Sequence, residues 1–168
     1  MGILNVTPDS FSDAGKYFNL DKAVEYSLDL INQGVDIIDI GGESTRPGAD
    51  EISINDELKR VIPVIEGIRS NSSIPISIDT YKSEVAKEAL NSGANMVNDI
   101  SGLNFDSKMI DVVKDYNIPI VIMHIKGTPK NMQINPTYDN IIKEIITYFK
   151  IQINLCLDYG IPKSHIIL

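Results

Sequence analysis

Cysteine occurs once in the 168 residues, at Cys156, so no internal disulfide framework can form and a reducing, cytoplasmic setting is expected. Long hydrophobic runs are missing: the longest, Ile118 to Met123, is six residues, where a transmembrane helix needs roughly 20. No basic leader followed by an apolar stretch opens the chain, so a secretory signal is not expected. Basic side chains are also scarce. Fifteen Lys and Arg stand against 23 Asp and Glu, a net charge of −8. A field of that sign argues against a nucleic-acid partner and against an anionic membrane surface. An anionic ligand would need local donors or a metal ion to overcome it. No zinc-type spacing and no Ser-His-Asp arrangement is present.

What the chain has in quantity is isoleucine: 29 Ile, with 14 Asn and 12 Lys against 3 Arg, a bias typical of AT-rich coding. Short apolar runs recur at Gly2–Val6, Val35–Ile40, Ile74–Ile78, Ala94–Val97, Ile118–Met123 and His165–Leu168. Runs of this kind suit strands covered on both faces, as in a parallel sheet. Helical spacing fills the gaps. The first such stretch follows Asp21, a candidate N-cap, and places Ala23, Val24, Ser27, Leu28 and Ile31 on one side. Asp56–Arg69 follows, with Ser53 and Asp56 spaced as a capping box, then Lys82–Ser92 and Asp106–Tyr116, the last opening on a start signal at Asp106 or Ser107. A long segment, about Tyr138–Tyr159, carries a stripe of Ile141, Ile142, Ile145, Ile146, Phe149, Ile153, Cys156 and Leu157. Cys156 therefore reads as a small buried hydrophobe. No linker interrupts the pattern, so residues 1–168 are expected to form one α/β domain of about six strands and five helices.

Polar and glycine-rich residues come directly after the strands, not before them. The first strand runs into Asn5, Thr7, Asp9 and Asp13; the second into Gly41-Gly42-Glu43-Ser44-Thr45-Arg46-Pro47-Gly48. The third ends in Asp79-Thr80, the fourth in Asn98-Asp99, the fifth in His124. Five consecutive strand ends contributing polar groups indicate a TIM (β/α)8 barrel with its site at the C-terminal face, rather than an open sheet with one switch point. Asp79 is either a cap for the next helix or a buried carboxylate accepting from an N–H/NH2 edge. Asn98 is either a turn residue or a donor–acceptor for a neighbouring heterocycle edge. The Gly41–Gly48 segment, with hydroxyl and guanidinium donors, suits a phosphate or diphosphate. Asn5 is placed to give Mg²⁺ an oxygen, an ion that keeps most of its waters and takes few protein ligands. Asp9, Asp13 and Phe11 read equally as loop caps and a loop aromatic, and His124 and His165 as ordinary strand-end residues.

Met1 to Asp13 (MGILNVTPDSFSD) resembles the first signature of the dihydropteroate synthases, and Asp39 to Ala49 (DIGGESTRPGA) the second. Ser77-Ile-Asp-Thr80, Asn98-Asp-Ile-Ser-Gly102 and Met123-His124 fall where that family has later strand-end motifs. Ala14 and Ile125 depart from the family pattern. The resemblance implies a barrel that condenses 4-aminobenzoate with the diphosphate ester of 6-hydroxymethyl-7,8-dihydropterin, releasing pyrophosphate. It implies that Asp79, Asn98 and Met123 bind the pterin, that Asn5 serves the Mg²⁺–diphosphate site, and that Thr45 and Arg46 contact the phosphates. Phe11 and Pro47 would form the aminobenzoate slot, and Asp13 would stabilise developing positive charge. A homodimer is implied for the full-length enzyme. A neutral arylamine attacks once diphosphate departs, so no nucleophile–base pair is called for.

The family has eight strands, with an Asp after the sixth and a Lys and an Arg–His pair on later ones. The chain is therefore expected to be a fragment, with Met1 an internal residue and no turnover by residues 1–168 alone. Two other readings share parts of the pattern. Methyltetrahydrofolate–corrinoid methyltransferases have Asp and Asn at comparable strand ends but lack the Asn5–Asp13 and Glu43–Pro47 motifs. The other is an inert pterin-binding remnant.

Overall fold

The computed structural model describes residues 1–7, 20–44 and 50–168. Its strands are β1 (Gly2–Asn5), β2 (Ile38–Gly41), β3 (Ile76–Asp79), β4 (Met96–Asp99), β5 (Ile120–Ile122) and β6 (Ile166–Ile167). Between them run the helices α1 (Leu20–Asn32), α2 (Ile54–Arg69), α3 (Ser83–Asn91), α4 (Met109–Tyr116) and α5 (Ile141–Asp158). The six strands form one sheet in the order β1-β2-β3-β4-β5-β6, and every neighbouring pair is parallel. Sequential order without a reversal is the arrangement of a (β/α)8 barrel, whereas doubly wound sheets contain a switch point. Six strands and five helices of that architecture lie among the described residues.

Register fixes which side chains face the helices and which face the barrel interior, because parallel partners project to the same side. Leu4, Ile40, Ile78, Val97 and Ile120 are register partners, fully buried, and pack under the helices. Val61, Val64, Ile65 and Ile68 of α2, Val85, Ala86 and Ala89 of α3, and Met109 and Val113 of α4 complete this layer. Burying each large aliphatic side chain contributes roughly 1.5–3 kcal/mol. The alternate residues, Ile3, Asp39, Ser77 and Met96 with Asn5, Gly41, Asp79, Asn98 and Val121 above them, face the interior.

Strands and helices fall where the periodicity predicts, but several ends differ. Helix α1 begins at Leu20, so Asp21 sits in its first turn, where its charge complements the helix dipole, and not at the cap. Ser53 does cap α2, its hydroxyl accepting from Asp56 N at 3.1 Å while donating to the Asp56 carboxylate at 2.7 Å. Asp106 lies ahead of α4, which starts at Met109: its Oδ1 accepts from Lys108 N at 3.0 Å in the turn leading into that helix, while its Oδ2 accepts from Ser83 N at 2.8 Å and so closes the N-terminus of α3. His165 belongs to a 3-10 turn, Lys163–His165, leaving only Ile166 and Ile167 as strand.

Helix α5 corrects the expected apolar stripe most. Cys156 is fully buried, yet Ile142 is 66% and Ile141 49% exposed, with Ile146 and Leu157 exposed as well. Only Gln152 and Cys156 of this helix are buried. The stripe is wider than the surface the described elements offer it. No helix among the described residues is long and apolar enough to cross a membrane.

Candidate functional site

Asn5, Gly41, Asp79, Asn98 and Val121 are successive register partners across β1 to β5. One interior row at the C-terminal ends of the strands therefore brings together three polar residues that lie up to 93 positions apart in sequence (5 to 98). Glycine at 41 matters to this row: a Cβ there would stand 3.2 Å from Asp79 Oδ2 and close the wall beside the carboxylate. Asn5, on the outer strand of the row, is exposed, and Asp79 and Asn98 are half-buried.

The helix-cap reading of Asp79 fails, because Asp106 supplies the cap of α3. Asp79 Oδ1 is buried and has no hydrogen-bond partner among the described atoms. Burial, followed by the carboxylate of Asp39 and more distantly those of Glu57, Asp99 and Glu43, pushes the Asp79 pKa up to about 7. A buried, unsatisfied, half-ionised carboxylate at a strand end is unfavourable for the empty fold and suited to a ligand bringing N–H donors. The turn reading of Asn98 fails too. Its amide nitrogen donates to Asp39 Oδ2 at 3.1 Å inside the barrel, which leaves the amide oxygen as the acceptor it can offer a ligand.

Asp39 is a site residue that sequence reasoning did not single out. It is 5% exposed one layer below Asp79, burial raises its pKa, and the Asn98 amide partly offsets that rise. The signal was available: an acid between Ile38 and Ile40 in an otherwise apolar strand. A second group missed in the sequence is Lys82 with Glu43 and Glu57. The Lys82 ammonium donates to Glu43 Oε2, to Glu57 Oε2 at 2.6 Å and to Ile52 O at 2.8 Å. Tyr81 OH donates to Glu43 Oε1 at 2.9 Å.

Loops after β4 and β5 close the far side. Asp99, buried, accepts from Ser101 N and Leu103 N, both at 2.8 Å, and shapes a turn in which Gly102 and Leu103 take positive φ. Tyr148 OH of α5 donates to Met123 O at 3.0 Å, holding the backbone at the end of β5 and leaving the Met123 side chain 38% exposed at the mouth. His124 packs edge-on against Tyr148 with centroids 4.9 Å apart. A cavity of about 590 Å³ lies beside this loop, lined by His124, Lys126, Tyr138 and Tyr148 among others; neither Asp79 nor Asn98 borders it. Phe11, Asp13, Thr45, Arg46 and Pro47 lie outside the described residues. The last described residue before 45–49 is Ser44, which follows directly on Gly41, Gly42 and Glu43 and so leads from the Asp79 side of the mouth.

For a divalent ion, no group of three or more His, Cys, Asp or Glu among the described residues could cage it. A lone amide oxygen at Asn5 fits Mg²⁺ that keeps its remaining positions for water and phosphate oxygens.

The sequence profile of the pterin-binding enzymes matches residues 1–168. The chain is 47% identical to the dihydropteroate synthase of Synechocystis sp. over 168 residues, all of this chain and 58% of that protein. It is 46% identical to the dihydropteroate synthase of Escherichia coli, covering all of this chain and 59% of the relative. Among solved structures, a Yersinia pestis dihydropteroate synthase in complex with a sulfonamide drug superposes with a TM-score of 0.90 at 42% identity, over 98% of this chain and 60% of that one. A Xanthomonas albilineans dihydropteroate synthase with 4-aminobenzoic acid gives 0.89 at 41% identity, over 98% and 58%. The chain thus spans about three fifths of the length of these relatives.

Proposed function

The chain belongs to the pterin-binding enzyme family, and from that premise we propose that it carries the pterin and diphosphate half of a dihydropteroate synthase. The observation that carries this reading is the buried Asp79 carboxylate, its Oδ1 without a hydrogen-bond partner, in one row with Asn98 and Asn5 at the mouth of the barrel.

In this reading the ionised Asp79 accepts from the N–H and NH2 edge of the dihydropterin, a charge-assisted pair of the strong kind. Asn98, its nitrogen engaged by Asp39, presents its oxygen to an adjacent ring N–H. Met123 packs on the ring's flank. Thr45 and Arg46 receive the diphosphate, with Arg46 offering a planar fork to its oxygens. Asn5 would hold Mg²⁺, which when bound supplies charge neutralisation to the leaving diphosphate. Phe11 and Pro47 take the ring of 4-aminobenzoate, and Asp13 faces the positive charge that develops on the pterin methylene as diphosphate leaves. The arylamine attacks neutral, so the residues' work is binding, alignment and stabilisation of the anion.

Because the relatives are longer, turnover is assigned to the protein at its full length, and residues 1–168 alone are expected to bind the pterin without releasing pyrophosphate. Pyrophosphate release by purified residues 1–168 would overturn that part. Calorimetric titration tests the binding part. The pterin diphosphate is expected to bind in the presence of Mg²⁺, methyltetrahydrofolate is not, and Asp79→Ala abolishes the first. A pterin dissociation constant unchanged in Asp79→Ala, or preference for methyltetrahydrofolate, would refute the assignment.

A further inference from the structure

Asp39 stands in the layer beneath the mouth of the barrel, in register with Ile3 of β1 and Ser77 of β3, with Met96 of β4 beyond. It is 5% exposed, and no cation among the described residues pairs with it. Its Oδ1 is buried without a hydrogen-bond partner, and its Oδ2 accepts from Asn98 Nδ2 at 3.1 Å. That bond reaches from β2 to β4 across the intervening β3, where Ser77 is small enough to leave the way open.

An acid in this layer is a poor means of holding the sheet together. Desolvating it without a cation costs stability, and an apolar side chain of the same volume would serve the fold better. What the carboxylate provides is direction. The two ends of the Asn98 amide are nearly alike in shape and differ in chemistry: NH2 donates, oxygen accepts. Asp39 Oδ2 takes the NH2 end, so the oxygen is the end left for a ligand lying against the row of Asp79 and Asn98.

We propose that Asp39 is a positioning residue that makes the site selective for a reduced, dihydro pterin: by holding the Asn98 NH2 it presents the amide oxygen, an acceptor that a ring N–H satisfies and a bare ring nitrogen repels. This inference rests on the reading of the preceding subsection, in which Asp79 and Asn98 take the ring. Once Asp79 has the N–H and NH2 edge of the pyrimidine, the remaining ring N–H of a 7,8-dihydropterin is at N8. In the fully oxidised ring N8 is an acceptor, and two acceptors then face each other. Asp39 touches neither form itself.

The test compares affinities for 6-hydroxymethyl-7,8-dihydropterin and for oxidised 6-hydroxymethylpterin, by calorimetry at one fixed pH. The unmodified protein is expected to prefer the dihydro form. Asp39→Asn lets position 39 donate as well as accept, so the Asn98 amide can turn over, and the preference is expected to fall by about tenfold, the size of one hydrogen bond gained or lost. The two probes carry the same pyrimidine edge, so any effect of the lost charge on Asp79 cancels in the ratio. Combining Asp39→Asn with Asn98→Asp reverses donor and acceptor within the pair and leaves position 98 only oxygens to offer; the preference is expected to return. An unchanged ratio in Asp39→Asn, a parallel fall in both affinities, or no recovery in the double variant would overturn the proposal. Should Asp39→Asn not fold, the Asn98 side-chain NH2 signals of the unmodified protein decide by NMR. One proton slow to exchange, with little shift when the dihydropterin binds, supports the tie to Asp39; a large shift of the pair on binding shows the NH2 donating to the ring and refutes it. If the unmodified protein binds both pterins equally, this inference falls and the pterin reading stands. If it binds neither, the pterin reading itself fails.

Discussion

The Asp79 carboxylate titrates close to neutral pH because it is buried and faces the carboxylate of Asp39, and its two protonation states want different partners. A ring edge that only donates binds the ionised form. Pterin affinity should therefore be flat above about pH 7 and fall roughly tenfold per pH unit below it, which titrations between pH 5.5 and 8.5 would show directly. Asp79→Asn should flatten that profile and weaken binding by the ~1.5–3 kcal/mol of a lost charged hydrogen bond. Stability moves the other way. The folded pKa, about 7, lies above the ordinary 3.8, so this group favours the fold fully below about pH 4. That contribution is lost as pH rises to about 7. Asp79→Asn should consequently stabilise the protein at pH 8, by of order 1–4 kcal/mol, and change little at pH 4. Urea unfolding at the two pH values separates these outcomes; equal effects at both would mean that the carboxylate is not strained by its surroundings. The sequence announced Asp79 and Asn98 by their place after apolar strands. It could not tell a cap from a ligand, since that choice depends on Asp106, 27 residues on, having already taken Ser83 N.

Helices and strands were legible because their signals are local: short apolar runs recurring along the chain and a Ser53–Asp56 cap that forms as spelled. Contacts that cross between elements were not. The Lys82 cluster joins positions 43, 52, 57 and 82, with no motif linking them, and Asp39 meets Asn98 across 59 residues. Gly102 shows the same limit. Its φ of +58° already favours glycine, and a Cβ would stand 2.0 Å from Tyr148 OH and 2.7 Å from Met123 O. Gly102→Ala should cost about 2–4 kcal/mol and detach α5 from the β4 and β5 loops, read as a lowered urea midpoint. Helix α5 is the element most readily detached, with Gln152 and Cys156 its only buried side chains. The Cys156 thiol is fully buried and its pKa is pushed up to about 11, so it should resist alkylation at pH 8 in the native protein. At denaturant concentrations below the global midpoint, it should label faster than complete unfolding permits, because α5 opens first. Labelling that tracks global unfolding throughout would show α5 to be part of the main cooperative unit.

Across the whole molecule, apolar burial and net charge act against each other. The sheet runs in order from β1 to β6, so those two strands are its ends, and apolar side chains stand open along them: Ile3 is 63% exposed, Ile167 44% and Leu168 56%. Ile141, Ile142, Ile146 and Ile151 of α5 are exposed as well. Unpaired parallel strands beside exposed isoleucines favour self-association. The net charge of −8 opposes it, but only within a screening length of about 8 Å at 0.15 M salt and about 3 Å at 1 M. Adding salt therefore removes the repulsion while leaving the apolar attraction in place. Residues 1–168 should run as a monomer at low salt and low concentration and associate progressively as salt and concentration rise, measured by light scattering on a sizing column. Ile3→Lys together with Ile142→Lys should reduce association at high salt despite lowering the net negative charge. That combination separates the two forces: if the lysine variant associates more, loss of repulsion dominates, and the exposed isoleucines do not drive the contact.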